Sequence, residues 1–352
     1  MGRIGRLGIT TLSSSALALA VACGDAARGV DDAGGTNADA AGDAAGDAAP
    51  DASPASLVPI IGFDAAKYEL AEGLAVRGGK AYVGLAPLGA VLEVDPTGTS
   101  KPYGSVPAGY DKGYTLGLAF GGDGALFVAQ TVNVPDAGAP AAGVYKIPPG
   151  GGAATTPFAT SAEMVFPNGI ALDAKGGLFV TDSATGLVFG VTAAGVVSKW
   201  KADPKLSGSP ACPAPLPFPI GANGIVATST AVFVTNTAKG SLLKIPVHPD
   251  GSAGDVEVLL EDCAYVGLDG LARDGDAFLV AQNGLPGRLL RVDAGGKVAV
   301  AYAGALLDGP ASVAIDVWQG RRAALVTSSA FFSVGADGGA PRPGLAAYAP
   351  LP

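Results

Sequence analysis

The feature that most constrains this chain is a motif that recurs six times between residues 72 and 328. Each copy has a short apolar strand, a gap, and then a strongly apolar strand with Val at its centre. Successive copies begin 44, 52, 55, 46 and 42 residues apart. The six copies are 72–76 with 81–84, 116–120 with 126–130, 168–172 with 178–182, 223–227 with 232–236, 269–273 with 278–282, and 311–315 with 324–328.

Each repeat also has room for two more strands, such as 187–191 and 196–199, separated by turn sequences such as 173–176. Four short strands repeated six times predict an all-β fold, a six-bladed β-propeller with four-stranded antiparallel blades. One blade cannot bury both of its faces alone, so the blades must pack against one another. We expect the propeller to occupy residues 57–352.

The first residues of the chain indicate export. Arg3 and Arg6 precede an uncharged run at 7–22 that ends in small residues, so residues 1–22 have the pattern of a signal peptide. The run of 16 residues is short for a helix that spans a membrane. Since Cys23 follows the small residues directly, as in a bacterial lipobox, we expect Cys23 to be lipidated; ordinary cleavage nearby is the alternative.

The segment after the signal peptide is a predicted tether. Residues 23–56 comprise the lipidated Cys and a stretch of Ala, Asp and Gly that cannot bury apolar surface and is therefore expected to be disordered. Seven Asp and one Arg lie there, so much of the net charge of −9 belongs to the tether. With no basic cluster, we expect no nucleic-acid partner. The sequence predicts an exported, membrane-anchored bacterial lipoprotein, periplasmic or on the cell surface, that is monomeric and meets the membrane only through its N-terminal lipid.

The first residue of each repeat opens the strand nearest the propeller axis, so these residues from different blades can converge on the central tunnel. Two carboxylates and two amides occur among them, and Ca²⁺ prefers such oxygen donors. The alternative is that the Asn-Gly and Asp-Gly steps are ordinary turns. In blade order the residues are Glu72, Leu116, Asn168, Asn223, Asp269 and Ala311.

With these residues the chain resembles the family of regucalcin (senescence marker protein), gluconolactonase and paraoxonase, which are six-bladed propellers with a catalytic divalent cation, usually Ca²⁺, on the tunnel axis. The family binds its metal through a Glu of blade one, Asn residues of blades three and four, and an Asp of blade five. The resemblance implies that Glu72, Asn168, Asn223 and Asp269 bind the metal. It covers residues 57–352.

The resemblance implies a Ca²⁺-dependent hydrolase of lactones or related esters, similar to gluconolactonase, in which the cation polarises the carbonyl. Some members use a His as base, but the only His here, His248, lies in a hairpin between outer strands. Any base must then be a carboxylate, with Asp269 first and Glu72 second; Asp269 would serve as base or nucleophile. The alternative function is a non-catalytic, surface-tethered propeller that acts as a binding or scaffold module.

Two cysteines remain in the mature domain, Cys212 and Cys263, and in an exported protein they are candidates for a disulfide. Both lie in loops that enter neighbouring blades, four and five, on the same face. Two unrelated buried thiols are the alternative.

Other polar and aromatic residues could lie near the tunnel. Three of them end the second strand of a blade and point either at the tunnel or at a loop: Asp182, Asn236 and Gln282. Candidate walls of the pocket are Tyr110, Tyr114 and the Pro-rich loop 207–219.

Overall fold

The computed structural model describes six sheets, which together contain 25 strands, and three short 3₁₀ helices. The predicted signal peptide, the lipidated Cys23 and nearly all of the tether lie outside the described residues, as does Tyr110. No helix in the described part of the chain is long and apolar enough to cross a membrane. The described residues are 55–107, 113–132, 141–208, 212, 219–284, 286–334 and 340–351.

The first three blades each contain four antiparallel strands, which follow one another from the axis to the outer edge. Blade one has β2 (Ala71–Arg77), β3 (Lys80–Leu85), β4 (Ala90–Val94) and β5 (Ser100–Ser105), to which the short β9 (Gly152–Ala153) adds in parallel. Blade two has β6 (Thr115–Phe120), β7 (Leu126–Gln130), β8 (Gly143–Ile147) and β10 (Pro157–Ala159). Blade three has β11 (Pro167–Leu172), β12 (Leu178–Asp182), β13 (Leu187–Val191) and β14 (Val197–Ala202).

The last three blades follow the same plan, which confirms the predicted six-bladed propeller. Blade four has β15 (Ala222–Ala227), β16 (Ala231–Asn236), β17 (Ser241–Pro246) and β18 (Glu257–Glu261). Blade five has β19 (Leu268–Asp274), β20 (Ala277–Gln282), β21 (Arg288–Val292) and β22 (Val298–Ala303). Blade six has β23 (Pro310–Trp318), β24 (Arg321–Ser328), β25 (Gly344–Ala349) and β1 (Ser56–Gly62). The 3₁₀ helices are Ala65–Lys67, Ala86–Leu88 and Cys263–Tyr265.

The ring closes through the N-terminal strand. β1 pairs antiparallel with β25 and forms the outer edge of blade six, whose other three strands come from the end of the chain. This pairing joins the two ends of the propeller domain and so closes the ring of blades. The repeat pattern did not predict it, because β1 precedes the first repeat.

Every innermost strand contains a β-bulge at the same place. In blade one the pairing skips from Ala71–Leu85 to Leu74–Val83, so three steps on β2 match two steps on β3. The same shift occurs in the other five blades. Bulges bend a strand and re-aim a side chain, and they recur beside active sites. Here each bulge contains the first residue of the repeat.

The Gly after that residue allows neighbouring innermost strands to approach closely. A Cβ on any of the five Gly residues would lie within 2.5 Å of a carbonyl oxygen in the next blade, that of the first residue of the next repeat. The interpretation of the Asn-Gly and Asp-Gly steps as turns is therefore wrong, since these residues lie inside strands. The five residues are Gly73, Gly117, Gly169, Gly224 and Gly270.

The hydrophobic core lies between the blades. Phe179 of blade three and Val234 of blade four belong to one buried cluster, and Leu279 of blade five and Val326 of blade six belong to another. Since each cluster joins two blades, the blades hold their innermost strands in fixed positions around the tunnel.

Candidate active site

We call the first residues of the six repeats the upper ring. Each is the second residue of its innermost strand, so the upper ring lies at one level of the tunnel. Its polar members are only 4 to 7% exposed: Glu72, Asn168, Asn223 and Asp269. Its apolar members, Leu116 and Ala311, are buried as well.

The backbone of the upper ring is held by hydroxyl groups of the preceding blade. Thr235 donates to the carbonyl oxygen of Asp269 at 2.6 Å, and Thr327 donates to that of Glu72 at 2.8 Å. Thr181 donates in the same way to Asn223. Because these bonds cross from one blade to the next, they link the positions of three polar ring residues to the packing of the whole propeller.

The two amide side chains are oriented by hydroxyl groups of their own blades. Nδ2 of Asn168 donates to Oγ of Ser183 at 3.0 Å, and Nδ2 of Asn223 donates to Oγ1 of Thr237 at 2.9 Å. Each hydroxyl gives its only proton to a backbone carbonyl of the next blade, at 2.8 Å in both cases. The hydroxyl can therefore only accept from the amide, which leaves the amide oxygen available to a ligand.

Asp269 is a buried carboxyl group with amide partners. Its Oδ2 accepts a hydrogen bond from Nδ2 of Asn283 at 3.0 Å. Burial raises the pKa of Asp269 to about 7, although hydrogen bonds from Asn283, Asn223 and the backbone of Gly270 act in the opposite direction. Desolvation penalises the charged form, and the raised pKa means that its effect outweighs that of these hydrogen bonds.

Glu72 is the second buried carboxyl group, and its Oε2 has no hydrogen-bond partner among the described residues. Burial and, after it, the charge of Asp269 raise the pKa of Glu72 well above its ordinary value. None of the ion pairs in the described part of the chain includes Glu72 or Asp269. The two carboxyl groups thus interact with each other, and no basic side chain in the described part of the chain forms an ion pair with either.

This donor set fits a hard divalent cation. Two carboxylates and two amide oxygens are the ligand types that Ca²⁺ takes, and Ca²⁺ usually binds six to eight oxygens, so positions would remain for water and substrate. The orphaned oxygen of Glu72 is an observation of the structure that a bound cation would explain. Over the described ranges no group of three or more His, Cys, Asp and Glu side chains could hold a metal, so any such site depends on the two amides.

Below the upper ring the tunnel is apolar. The residues two positions further along the innermost strands form what we call the lower ring, and its members are 5 to 7% exposed. A cavity of about 410 Å³ opens beyond it, and its lining includes the lower ring but none of the polar members of the upper ring. An aliphatic ring therefore lies directly below the two buried carboxyl groups. The lower ring consists of Leu74, Leu118, Ile170, Ile225, Leu271 and Val313.

The three polar residues that end second strands form hydrogen bonds with loops and do not face the tunnel; they are Asp182, Asn236 and Gln282. Asp182 accepts hydrogen bonds from four backbone N–H groups of the adjoining loops. Asn236 donates to two carbonyl groups at 205–207, and Gln282 to two at 264–266. These residues therefore stabilise the loops around the mouth of the tunnel.

The sequence analysis missed three residues that orient the site, Ser183, Thr237 and Asn283. Each follows directly after one of the strand-end residues, and lies 14 or 15 residues after an upper-ring residue. This recurrence was a usable signal, because in blades three, four and five the residue directly after the second strand is polar and contacts the upper ring.

The structure joins Cys212 and Cys263 in a disulfide with a Cα–Cα distance of 5.4 Å. It links the loop before β15 to the 3₁₀ helix before β19, and so ties together the entries of the blades that carry Asn223 and Asp269. His248 lies at an exposed turn after β17, away from the tunnel.

Comparisons with known proteins agree with this architecture. No protein-family model matches the chain, and no curated protein matches it in sequence. Among solved structures it is similar to regucalcin, a calcium-binding protein from Agrobacterium tumefaciens, with 18% identity and a TM-score of 0.56 over 80% of this chain and 89% of that one. A gluconolactonase from Xanthomonas campestris matches with 13% identity and a TM-score of 0.59 over 84% and 90%.

A third match is virginiamycin B lyase from Staphylococcus aureus, with 11% identity and a TM-score of 0.52 over 84% of this chain and 100% of that one. At such low identities a likeness establishes the fold alone. Regucalcin, a gluconolactonase and a lyase share this fold, so the fold by itself does not determine the reaction. The chain therefore shares the six-bladed propeller of regucalcin and gluconolactonase, as the resemblance in its repeats implied.

Proposed function

We propose that this protein is a metal-dependent hydrolase of lactones or related esters. Glu72, Asn168, Asn223 and Asp269 would bind the cation, Ca²⁺ or another divalent ion. The observation that carries the proposal is the pair of buried carboxyl groups, both with a raised pKa, one of which has an oxygen without a partner. Burying such charges is costly unless a cation compensates them.

The named neighbours support the same chemistry without deciding it. One is a calcium-binding regucalcin and another a gluconolactonase, and both share this fold. When bound, a divalent cation would supply Lewis-acid polarisation of the substrate carbonyl.

In this proposal Asp269 is the catalytic base. The hydrogen bond from Asn283 to Oδ2 orients the carboxylate of Asp269, which would accept a proton from water. The water oxygen forms a bond to the carbonyl carbon, and the bond from that carbon to the ester oxygen then breaks. The proton held by Asp269 passes to the departing oxygen, which completes hydrolysis with atoms and charge balanced.

Ser183 and Thr237 act as positioning residues. They keep the amide nitrogens of Asn168 and Asn223 turned towards their own blades, so that the amide oxygens are available. The lower ring separates the reacting groups from the cavity beyond it, and electrostatic interactions are stronger where water is excluded.

A lyase activity has less support. The solved structure of virginiamycin B lyase is that of a catalytically inactive variant in which a histidine is replaced by alanine. This chain has one His, and His248 lies at an exposed turn after β17. Chemistry that requires a His in the tunnel is therefore not supported by the residues of this chain.

The direct test is a calorimetric titration of the metal-free protein with Ca²⁺, Mg²⁺ and Mn²⁺, followed by a panel of lactones and aryl esters with and without chelator. We expect one cation to bind and hydrolysis to require it. Glu261→Gln, which changes an exposed acidic residue on β18, is the control for general loss of charge. If no cation binds and no ester is hydrolysed, the non-catalytic binding module becomes the better description.

We also propose that Cys23 carries a lipid that anchors the propeller to a bacterial membrane, in the periplasm or at the cell surface. The support is the run of small residues directly before Cys23. Cys23→Ser should move the protein from membrane to soluble fractions; an unchanged distribution would contradict the anchor.

A further inference from the structure

An aromatic contact crosses the mouth of the tunnel. The rings of Tyr114 and Phe331 lie 5.8 Å apart, at 66° to each other. Tyr114 directly precedes β6 of blade two, and Phe331 follows β24 of blade six by three residues. Blades two and six are not neighbours, because blade one lies between them. The pair, which we call the aromatic wall, therefore spans the blade-one side of the mouth, where Glu72 lies.

Tyr114 and Phe331 both lie within a few residues of tunnel positions in the sequence. Tyr114 lies two residues before the upper-ring residue Leu116, and its carbonyl oxygen accepts a hydrogen bond from the backbone N–H of Thr131 at 3.0 Å. Phe331 lies two residues after Ser329, which occupies in blade six the position that Thr237 occupies in blade four. Both aromatic side chains are partly buried, so part of each remains open to a ligand.

The backbone before Phe331 is held in an unusual conformation. Ala330 has a φ of 56°, in the left-handed region that residues other than Gly rarely adopt. Its N–H donates to the carbonyl oxygen of Asp308 at 2.8 Å, and the N–H groups of Ser333 and Val334 donate back to its own carbonyl. Such strain persists only where the surroundings enforce it, and it is concentrated at ligand sites.

The carboxylate of Asp308 holds the other side of this turn. It accepts hydrogen bonds from the hydroxyl of Ser333 and from the backbone N–H of Arg342, the latter at 2.8 Å. Asp308 is itself buried. The turn that carries Phe331 is thus fixed before any ligand arrives.

The upper ring is divided in the same way as the mouth. Its polar residues occupy blades one, three, four and five, whereas its apolar residues, Leu116 and Ala311, occupy blades two and six. These are the blades that supply the aromatic wall. Apolar side chains therefore flank Glu72 on both sides and continue upward into the aromatic wall.

We propose that this apolar side of the mouth selects lactones and esters that carry an alkyl or aryl group over polyhydroxylated sugar lactones; the inference rests on the proposed function. A sugar hydroxyl placed against the aromatic wall would lose its bonds to water and gain few in return. An alkyl or aryl group would instead be buried favourably, and aromatic faces would stack on it.

The test compares two substrates with the same six-membered ring, δ-decalactone and glucono-δ-lactone. We expect the wild type to have the higher kcat/KM for δ-decalactone. In Phe331→Ala the ratio of the two values should fall about tenfold, mainly through KM, as is typical when a hydrophobic contact is lost. Phe331→Leu should retain most of the preference, and Tyr114→Leu provides a second variant if Phe331→Ala does not fold.

Phe158→Ala is the matched control, because Phe158 makes an aromatic contact with Phe127 at 5.3 Å in outer blade two, away from the mouth. The inference is wrong if the wild type prefers glucono-δ-lactone, or if Phe331→Ala changes the ratio no more than Phe158→Ala does.

If the wild type hydrolyses neither lactone, the two rates cannot be compared, and binding then decides the inference. Calorimetry should find that 5-hydroxydecanoate binds more tightly than gluconate and that Phe331→Ala removes the difference. Equal affinity of the wild type for the two carboxylates would contradict the aromatic wall.

Discussion

The upper and lower rings of the tunnel are built from the same six strands, two residues apart, yet they differ in chemistry in four of the six blades. The upper ring contains two carboxyl groups and two amides, while the lower ring is aliphatic in every blade. The repeated bulge fixes where both rings lie, whereas one side chain per blade decides what each ring can do. From the comparison we infer a dependence, namely that the aliphatic lower ring contributes to the burial that raises the pKa of Glu72 and Asp269 above it.

The largest effect is expected from removing a carboxylate of the upper ring. Asp269→Ala should abolish high-affinity Ca²⁺ binding and lower kcat/KM by about 10³-fold or more, because it removes both a ligand and the base. Calorimetry and initial rates would measure the two losses separately. Asp269→Asn keeps an oxygen but not the base, so weak metal binding should return without hydrolysis. Full activity of Asp269→Asn would contradict the role of Asp269 as base.

The next effect concerns the lower ring. Leu271→Ala should lower the free energy of unfolding by roughly 3 kcal/mol, as is typical for a buried Leu truncated to Ala. It should also admit water below Asp269 and move the pKa of that carboxyl down towards its ordinary value. Chemical denaturation would give the first quantity, and NMR titration of the Asp269 carboxyl in the metal-free protein would give the second.

Leu74→Ala is the matched control on the other side of the ring, below Glu72. It should cost similar stability and shift the pKa of Glu72 more than that of Asp269. If neither variant changes either pKa, the lower ring is not what desolvates the carboxyl groups.

The dependence between the rings also predicts how stability varies with pH. Both carboxyl groups have a raised pKa in the fold, about 7 for Asp269, compared with about 4 in an unfolded chain. Between these values the folded state binds more protons than the unfolded state, so the free energy of unfolding of the metal-free protein should fall as pH rises. We expect a loss on the order of 2 kcal/mol between pH 5 and pH 8.

Few other groups titrate in this window, since the chain has one His and it is exposed. Ca²⁺ should raise the melting temperature more at pH 8 than at pH 5, where protons compete with the cation. The double variant Glu72→Gln, Asp269→Asn should have a flatter pH profile. A wild-type profile as flat as that of the double variant would show that the burial of these two carboxyl groups does not destabilise the fold.

The repeat pattern predicted the propeller and the upper ring because both follow from local sequence at a fixed spacing. It did not predict β1 as the closing strand, because that pairing joins the two ends of the domain. Nor did it predict the contact between Tyr114 and Phe331, which depends on blades two and six meeting across a closed ring. The predicted metal ligands themselves stay a prediction until a cation is measured in the site.

The smallest effect concerns the hydroxyl groups that orient the upper ring. Thr237→Val removes the oxygen that accepts from Nδ2 of Asn223 and donates to the carbonyl of Leu268. We expect a stability loss of about 1 kcal/mol, typical of one buried hydrogen bond, and a several-fold rise in the Kd for Ca²⁺ because Asn223 is free to turn. Ser329→Ala is the matched control: it removes the equivalent hydroxyl and its bond to the carbonyl of Gly309 at 2.9 Å, in the blade whose ring residue is Ala311. It should cost similar stability and leave the Kd unchanged. Equal Kd values for the two variants would mean that Thr237 stabilises the blade without positioning a ligand.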